Sequence, residues 1–156
     1  MNCDTPSISV IIPAFNEECY LPATLQALEN SASLLRSREG VNTEVIVVDN
    51  GSVDATANVA RSLGARVIAE SVHNIARVRN CGAATALGEE LVFLDADTRM
   101  PEELLPRIHQ VFAAPGCVGG AVDTEYRPKK WSIRTYLGLW RILGRAAGIA
   151  QGATQF

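Results

Sequence analysis

Short runs of large apolar residues alternate along the chain with longer segments in which apolar residues recur every three or four positions. The runs predict buried strands at 8–13, 44–49, 66–69, 90–94 and 118–123, and the periodic segments predict helices at about 20–35, 54–63, 75–87 and 101–112. Strands that alternate with helices, each strand an unbroken apolar run, predict an α/β fold, a mostly parallel twisted sheet flanked by helices.

Polar residues follow three of these strands at the point where each strand ends. Residues 13–17 follow the first strand, residues 49–52 follow the second, and Asp95 and Asp97 follow the strand that begins at Glu90. Ligands of parallel α/β sheets bind at the carboxyl ends of the strands, so we expect the three segments to converge. Asp95 and Asp97 would face the same side of the sheet if the extended conformation continued that far.

The two aspartates support two interpretations. Carboxylates held this close repel each other, and a hard divalent cation such as Mg²⁺ or Mn²⁺ would relieve the repulsion, with phosphate oxygens of a substrate among its ligands. The structural interpretation is that Thr98, which precedes Met100-Pro101-Glu102-Glu103, caps the next helix. The two interpretations are compatible.

Composition and charge divide the chain in two. The 156 residues are 47% hydrophobic and 20% charged, which is typical of a globular domain. Residues 1–125 carry 8 arginines and all 17 acids, a net charge of −9, whereas residues 126–156 carry 6 basic residues and no acid, a net charge of +6. We therefore predict a main domain at 1–125 and a separate tail at 126–156.

The tail is predicted to form a basic amphipathic helix over 129–145. One face would carry arginines and the other would carry large apolar residues, respectively Arg134, Arg141 and Arg145, and Ile133, Leu137 and Trp140. Such a helix either lies on an anionic bilayer or packs against the domain or a partner. Both interpretations stay open, as does the oligomeric state.

The cysteines and the N-terminus bear on the compartment. The four cysteines show no CxxC spacing, which argues against a zinc site and a disulfide framework; they are Cys3, Cys19, Cys81 and Cys117. Residues 1–6 do not resemble a secretory signal, and no apolar stretch reaches transmembrane length. We expect a cytoplasmic protein, membrane-associated only if the tail binds a bilayer, with no nucleic-acid partner.

Two common nucleotide motifs are absent. The turn after the first strand, Ala14-Phe15-Asn16-Glu17, contains no glycine, which argues against a dinucleotide fold, and no GxxxxGK(S/T) sequence occurs. A phosphate group would then be neutralised by a metal on the two aspartates, with help from Arg77 or Arg79. Asp49 is placed either to accept hydrogen bonds from a base or a ribose, or to form a turn with Asn50-Gly51.

Four motifs carry a resemblance to a known family. In chain order they are Pro13-Ala14-Phe15-Asn16-Glu17-Glu18, Asp49-Asn50-Gly51-Ser52, Arg79-Asn80-Cys81-Gly82 and Asp95-Ala96-Asp97. Together they resemble the family 2 glycosyltransferases of the GT-A fold, over roughly residues 7–123. The resemblance implies a Rossmann-like nucleotide-binding half. It also implies transfer of a sugar from a UDP- or GDP-sugar, with inversion at the anomeric carbon and with Mn²⁺ or Mg²⁺ as cofactor.

The resemblance also implies roles for individual residues. The nucleoside pocket would be lined by Pro13, Phe15 and Glu17, with Asp49 at the base. Arg79 would support the nucleotide or its phosphates. Asp95 would lie near the ribose or sugar and Asp97 would ligate the metal, with Asp95 as a second candidate ligand.

The acceptor side of such an enzyme is not evident in the sequence. Inverting transfer needs a general base, which in this family is a carboxylate well downstream of the paired aspartates. The chain ends at Phe156 with no acid after Glu125, and neither Asp123 nor Glu125 is assigned this role. We therefore expect a complete donor half and a missing acceptor half. Of the two histidines, His73 receives no role and His109 fits a surface or packing residue.

Two alternatives follow. The first is a catalytically incomplete fragment that binds a nucleotide-sugar without transferring it. The second is a phosphatase of the haloacid dehalogenase type, which uses DxDx(T/V). In this chain Thr98 falls one place early, Arg99 occupies the expected position, and the only lysines are Lys129 and Lys130.

Overall fold

A computed structural model of the chain describes residues 6–122 and the short strand 154–155. In chain order the elements are β1 (Ile8–Ala14), α1 (Leu21–Glu39), β2 (Thr43–Asp49), α2 (Thr56–Ser62), β3 (Arg66–Ala69), α3 (Ile75–Thr85), β4 (Glu90–Phe93), α4 (Leu104–Phe112), β5 (Ala121–Val122) and β6 (Thr154–Gln155). The first three strands match their predicted limits to within a residue, because each is a β-branched apolar run bounded by turn residues.

The described strands form one sheet in the order β3-β2-β1-β4-β6-β5. β3, β2, β1 and β4 are parallel neighbours, and the two-residue strands β5 and β6 add an antiparallel edge. The predicted α/β fold with a mostly parallel sheet and flanking helices is therefore confirmed. Of the predicted strand 118–123, residues 118–120 are not in a strand and β5 begins at Ala121, whereas β6 comes from the segment predicted as a helical tail.

The core lies on both faces of the sheet, which explains why β1 is a continuous apolar run. The larger cluster joins alternate residues of β1 to α1, α2 and α4; its fully buried members include Ile8, Val10, Ile12, Leu21, Leu28, Leu35, Leu105 and Ile108. The smaller cluster lies beneath α3 and consists of Ile11, Ile46, Val48 and Val78. Residues 94 and 96 face the larger cluster as well.

The end of α3 differs from the prediction. The helix ends at Thr85 instead of continuing to residue 87, and Gly88 is not its stop signal. A Cβ at Gly88 would lie 2.7 Å from the carbonyl carbon of Ile8, so only glycine permits this approach to β1. The Gly88 backbone N–H donates to Oγ of buried Ser9 at 2.8 Å.

The start of α4 also differs from the prediction. The helix begins at Leu104 with Glu103 at the N-cap, so the predicted cap at Thr98 is wrong. Buried Ser31 of α1 explains the shift, because its hydroxyl donates to the carbonyl oxygen of Glu102 at 2.7 Å and accepts from the N–H of Leu105 at 3.1 Å. A tertiary partner thus satisfies a helix-end donor that a local cap would otherwise satisfy.

No helix within the described residues is long and apolar enough to cross a bilayer. The predicted amphipathic segment 129–145 and the late carboxylates Asp123 and Glu125 lie outside the described residues. The division into a main domain at 1–125 and a tail stays a prediction.

Candidate active site

The segments that follow β1 and β2 are joined at the carboxyl edge of the sheet, the edge at which the parallel strands end. The N–H of Asn16 donates to Oγ of Ser52 at 3.0 Å, and Oδ1 of Asn16 accepts from the N–H of Val53 at 2.9 Å. Asn16 has a φ of +56°, a left-handed conformation that asparagine adopts more readily than most residues. The N–H of Asn50 adds a bond of 2.9 Å to the Ala14 carbonyl oxygen.

The turn after β1 is also hydrogen-bonded to the residues at the start of α2. The N–H of Glu17 donates to Oγ1 of Thr56 at 2.8 Å, the N–H of Glu18 donates to Oδ2 of Asp54 at 3.2 Å, and Oε2 of Glu18 accepts from the N–H of Ala55 at 2.8 Å. Burial acts to raise the pKa of Asp54, but hydrogen bonds from the Thr56 hydroxyl and nearby N–H groups outweigh it and hold that pKa below its usual value. The predicted convergence of these two segments is present.

The paired aspartates lie on a turn and not on a strand. β4 ends at Phe93, and the N–H of Thr98 donates to the carbonyl oxygen of Asp95 at 3.1 Å, closing the turn Asp95–Thr98, which we call the acidic turn. The expectation that both carboxylates project from one strand face therefore fails, because the extended conformation does not reach Asp97. Asp95 is partly buried, Ala96 is buried and Asp97 is exposed.

A buried side chain of α1 holds the acidic turn in place. Oγ1 of Thr24 donates to the carbonyl oxygen of Ala96 at 2.7 Å, and Thr24 is only 1% exposed. This hydrogen bond ties the backbone between the two aspartates to α1. Ala96 is therefore buried, while the carboxylate of Asp97 is exposed to solvent. Neither Thr24 nor Asn16 had a role in the sequence analysis; the left-handed tolerance of asparagine was the one local signal for Asn16.

Arg79 and Asp95 form an ion pair at this edge. Nη2 of Arg79 lies 2.9 Å from Oδ1 of Asp95, with the side chains 26% and 35% exposed respectively. Nε of Arg79 is buried and has no hydrogen-bond partner in the described part of the chain. Arg77, by contrast, is directed to Glu70, with Nε 3.0 Å from Oε2. Of the two arginines predicted to assist a phosphate, the structure brings Arg79 to the acidic turn.

Glu17 and Asp97 are electrostatic neighbours. Burial raises the pKa of the Glu17 carboxyl, and the negative charges of Asp97 and then Asp54 raise it further. Within residues 6–122, no group of three or more His, Cys, Asp or Glu side chains is arranged to hold a metal ion by itself. A cation at Asp97 would therefore need further oxygen ligands from outside this set of side chains.

The aromatic ring of Phe15 and the carboxylate of Asp49 also lie among the turns that follow the strands. Phe15 is 48% exposed, and its ring packs edge-on against the imidazole of His73, which follows β3. Oδ1 of Asp49 accepts from the N–H of Ser52 at 3.2 Å, which is the turn-forming role considered for it. Pro13, at the end of β1, is partly buried.

His109 lies away from this site. Its Nδ1 is 2.9 Å from Oε1 of Glu90. Glu90 is the first residue of β4, so His109 lies near the amino ends of the strands, opposite to the site. This position agrees with the expected packing role.

A parallel α/β sheet with polar and charged groups gathered at its carboxyl edge is typical of proteins that bind nucleotides there. The family model described as glycosyl transferase family 2 matches residues 9–152. The match covers most of the chain, and the chain belongs to that family. The predicted family is thus confirmed, and the phosphatase hypothesis is left without support.

Individual relatives agree with this assignment. The chain is 39% identical over 106 residues to 4,4'-diaponeurosporenoate glycosyltransferase from Staphylococcus haemolyticus, a match that covers 64% of the chain and 26% of that protein. It is similar to the mannosyltransferase PcManGT from Pyrobaculum calidifontis solved with GDP-Man and Mn²⁺, with a TM-score of 0.65, 26% identity, and coverage of 83% of this chain and 38% of that one.

A second solved structure shares the fold. Glucosyl-3-phosphoglycerate synthase from Mycobacterium tuberculosis, solved with Mn²⁺, UDP and glucosyl-3-phosphoglycerate, gives a TM-score of 0.67 at 24% identity, covering 96% of this chain and 56% of that one. The chain spans only 26–43% of the length of the curated relatives it matches.

Proposed function

We propose that this chain supplies the donor-binding part of an inverting, metal-dependent glycosyltransferase that uses a nucleoside diphosphate sugar. The observation that carries the proposal is the grouping of polar segments where the parallel strands end: the turns after β1 and β2 are hydrogen-bonded to each other, and the acidic turn, held by Thr24, places Asp97 close enough to Glu17 to raise its pKa. Family membership supports the reaction class. The donor would be a UDP- or GDP-sugar.

The residues at the acidic turn fit Mn²⁺ or Mg²⁺ only in combination with a diphosphate. The exposed carboxylate of Asp97 supplies a hard oxygen ligand, and Asp95 is a second candidate whose Oδ1 already accepts from Arg79. Since these carboxylates alone form no closed cluster, the remaining ligands would be diphosphate oxygens and water. When bound, the ion would act as a Lewis acid that stabilises the charge on the departing diphosphate.

Arg79 would act on both the acidic turn and the nucleotide. Its bond to Asp95 offsets one negative charge of the turn, which lowers the repulsion that an incoming diphosphate would meet. Only one of its guanidinium nitrogens is used in that bond, and the buried Nε has no partner among the described residues. The guanidinium therefore retains N–H groups for the nucleotide or its phosphates.

The nucleoside would lie on the β1 and β2 side of the site. Phe15 offers a half-exposed ring for stacking, Pro13 and Glu17 flank it along the chain, and Asp49 retains one carboxylate oxygen beyond the bond to Ser52 for a base or a ribose. Glu17 would line the same pocket, and because burial and the nearby charges of Asp97 and Asp54 raise its pKa, it takes up a proton at a higher pH than an unperturbed glutamate does.

The alternative is binding of the nucleotide-sugar without transfer, since no general base is assigned among the described residues. Calorimetry with UDP and GDP, with and without Mn²⁺, tests the binding claim. A turnover assay with UDP- and GDP-sugars then separates the two functions. Metal-dependent binding with transfer of the sugar to an added acceptor hydroxyl or to water, and release of the free diphosphate, supports a transferase. Binding with neither transfer nor release supports the alternative. If neither diphosphate binds, the proposed function is wrong.

A further inference from the structure

An exposed pair of aromatic side chains, Phe15 and His73, lies where the parallel strands end. The rings of Phe15 and His73 have centroids 5.0 Å apart and planes at 81°, and both residues are exposed. Perpendicular rings form a corner: a planar group that stacks on one ring meets the other with its edge. Phe15 follows β1 and His73 follows β3, so the corner exists only because two loops are brought together.

Asn50 connects these two loops. Its side-chain Nδ2 donates to the carbonyl oxygens of Glu70 at 2.6 Å and of Val72 at 3.0 Å, and its backbone N–H donates to the carbonyl oxygen of Ala14 at 2.9 Å. Ala14 immediately precedes Phe15, and Val72 immediately precedes His73. A single residue, only 9% exposed, therefore bonds the backbone next to both rings.

The loop that carries His73 is fixed from its other side as well. Oε1 of Glu70 accepts from the N–H of Val72 at 2.9 Å, and Oε2 accepts from Nε of Arg77 at 3.0 Å. Asn74 caps α3, with its side chain accepting from the N–H of Arg77 at 3.0 Å. The imidazole is thus presented on an ordered loop, which lowers the entropy cost of using it to bind a ligand.

The imidazole also lies against the turn that carries Asp49. A Cβ built on Gly51 would lie 4.0 Å from Nε2 of His73, and Gly51 has a φ of +79°. Glycine at this position leaves room for the ring beside the Asp49–Ser52 turn. His73 therefore contacts the ring of Phe15 and lies beside the turn that carries Asp49, the two residues to which the nucleoside is assigned.

We propose that His73 is a nucleoside-binding residue, which forms with Phe15 the corner that receives the base of the donor, and that Asn50 is its positioning residue. The inference rests on the proposed function, because it names a further contact in the same site. His73 would act on the base and not on the diphosphate, which the acidic turn and Arg79 would hold.

The chain has only two histidines, so NMR of the imidazole Cε1–H groups gives one signal at the site and one control signal from His109 at the opposite edge. The ligands are UDP, GDP and pyrophosphate, each with Mg²⁺. We expect UDP or GDP to shift the His73 signal, pyrophosphate to leave it nearly unchanged, and none of them to move the His109 signal.

Variants of the full chain give an independent readout by calorimetry. His73→Ala should weaken UDP or GDP binding by roughly two- to tenfold, the range expected for loss of one aromatic contact, and should leave Mg²⁺-pyrophosphate binding unchanged. His73→Phe, which keeps a ring, should restore most of the affinity. Asn50→Ala should show the same selective loss, and His109→Gln serves as the matched control.

The outcomes separate this inference from the function on which it rests. If the unmodified chain binds UDP or GDP but His73→Ala binds it equally well and the His73 signal does not move, the inference is overturned while the proposed function stands. Equal weakening toward pyrophosphate would also overturn it, because His73 would then act on the diphosphate or on the fold. If the unmodified chain binds no nucleotide, both fail.

Discussion

The hydroxyl of Thr24 is predicted to hold the acidic turn in its binding position. Replacing Thr24 with valine keeps the shape of the side chain but removes the donor that bonds the Ala96 carbonyl oxygen at 2.7 Å. Because Ala96 is 4% exposed, its carbonyl oxygen would stay buried without this partner. The acidic turn would then either keep its position with an unsatisfied carbonyl group or move toward solvent. Loss of the hydrogen bond loosens the turn in the first case and displaces it in the second, and both affect the position of Asp97.

The loss of stability expected for Thr24→Val follows from the burial of the hydrogen bond between Thr24 and Ala96. An unsatisfied buried acceptor costs about 1–3 kcal/mol, so Thr24→Val should lower the free energy of unfolding by that amount. Thr24→Ser is the matched control, since it keeps the hydroxyl and loses one methyl group, at about 0.5–1.5 kcal/mol. The two variants should differ in binding: the serine variant should keep the Mn²⁺-dependent affinity for UDP or GDP, and the valine variant should lose part of it.

Urea unfolding gives the stability of each variant, read from a change in midpoint at constant slope. Calorimetry with UDP or GDP and Mn²⁺ gives the affinity. A valine variant within about 0.5 kcal/mol of the unmodified chain, with unchanged affinity, would refute the reasoning, because it would place Thr24 outside the support of the acidic turn.

Three further predictions concern other contacts. Gly88→Ala should lower the free energy of unfolding by about 1–3 kcal/mol or more in urea experiments, because the added Cβ would lie 2.7 Å from the Ile8 carbonyl carbon. Hydrogen bonds from a backbone N–H and a guanidinium hold the pKa of Glu70 below its usual value of 4.5, so the stability it contributes is present above that value and lost as the pH falls below it. Unfolding free energies from about pH 6 to about pH 3 should therefore fall less steeply for Glu70→Gln. Arg79→Met should cost about 1.5–3 kcal/mol of UDP or GDP binding by calorimetry and Arg79→Lys less, whereas equal affinity in all three chains would argue against a nucleotide contact.

The fold was predictable because its signals are local. β1 is buried on both faces and β2 largely so, and such strands read as continuous apolar runs whose ends are marked by Pro13 and by Asp49-Asn50-Gly51. The approximate positions of the helices followed from apolar periodicity for the same reason. The meeting of the first two turns followed from topology alone, since neighbouring parallel strands end at the same edge.

The details that failed depend on partners distant in sequence. The alternation argument for Asp97 failed because the chain turns after Phe93, with Thr24 of α1 bonded to the turn from 72 residues away. The cap predicted at Thr98 failed because Ser31, also on α1, satisfies the backbone at the start of α4. In the sequence, nothing about the positions of Thr24 and Ser31 distinguishes them from the other polar residues of α1.

The contribution of His73 was not predictable for a related reason. A lone histidine in a loop carries no signal, and its contact with Phe15 arises because Asn50 bonds both loops. In the motif Asp49-Asn50-Gly51-Ser52 the sequence pointed to the aspartate, whereas the asparagine determines which side chains meet. The polar residues that orient loops are the ones that periodicity does not reveal.

The central claim is that Asp97 and a diphosphate together hold the metal, which neither holds as well alone. Electron paramagnetic resonance of free Mn²⁺ tests it directly, because the signal falls when the ion is bound. We expect little change with the chain alone, and a larger fall with the chain and UDP or GDP together than with the nucleotide alone. Asp97→Asn should abolish that difference. Strong Mn²⁺ binding without nucleotide, or an unchanged response in Asp97→Asn, would contradict the account.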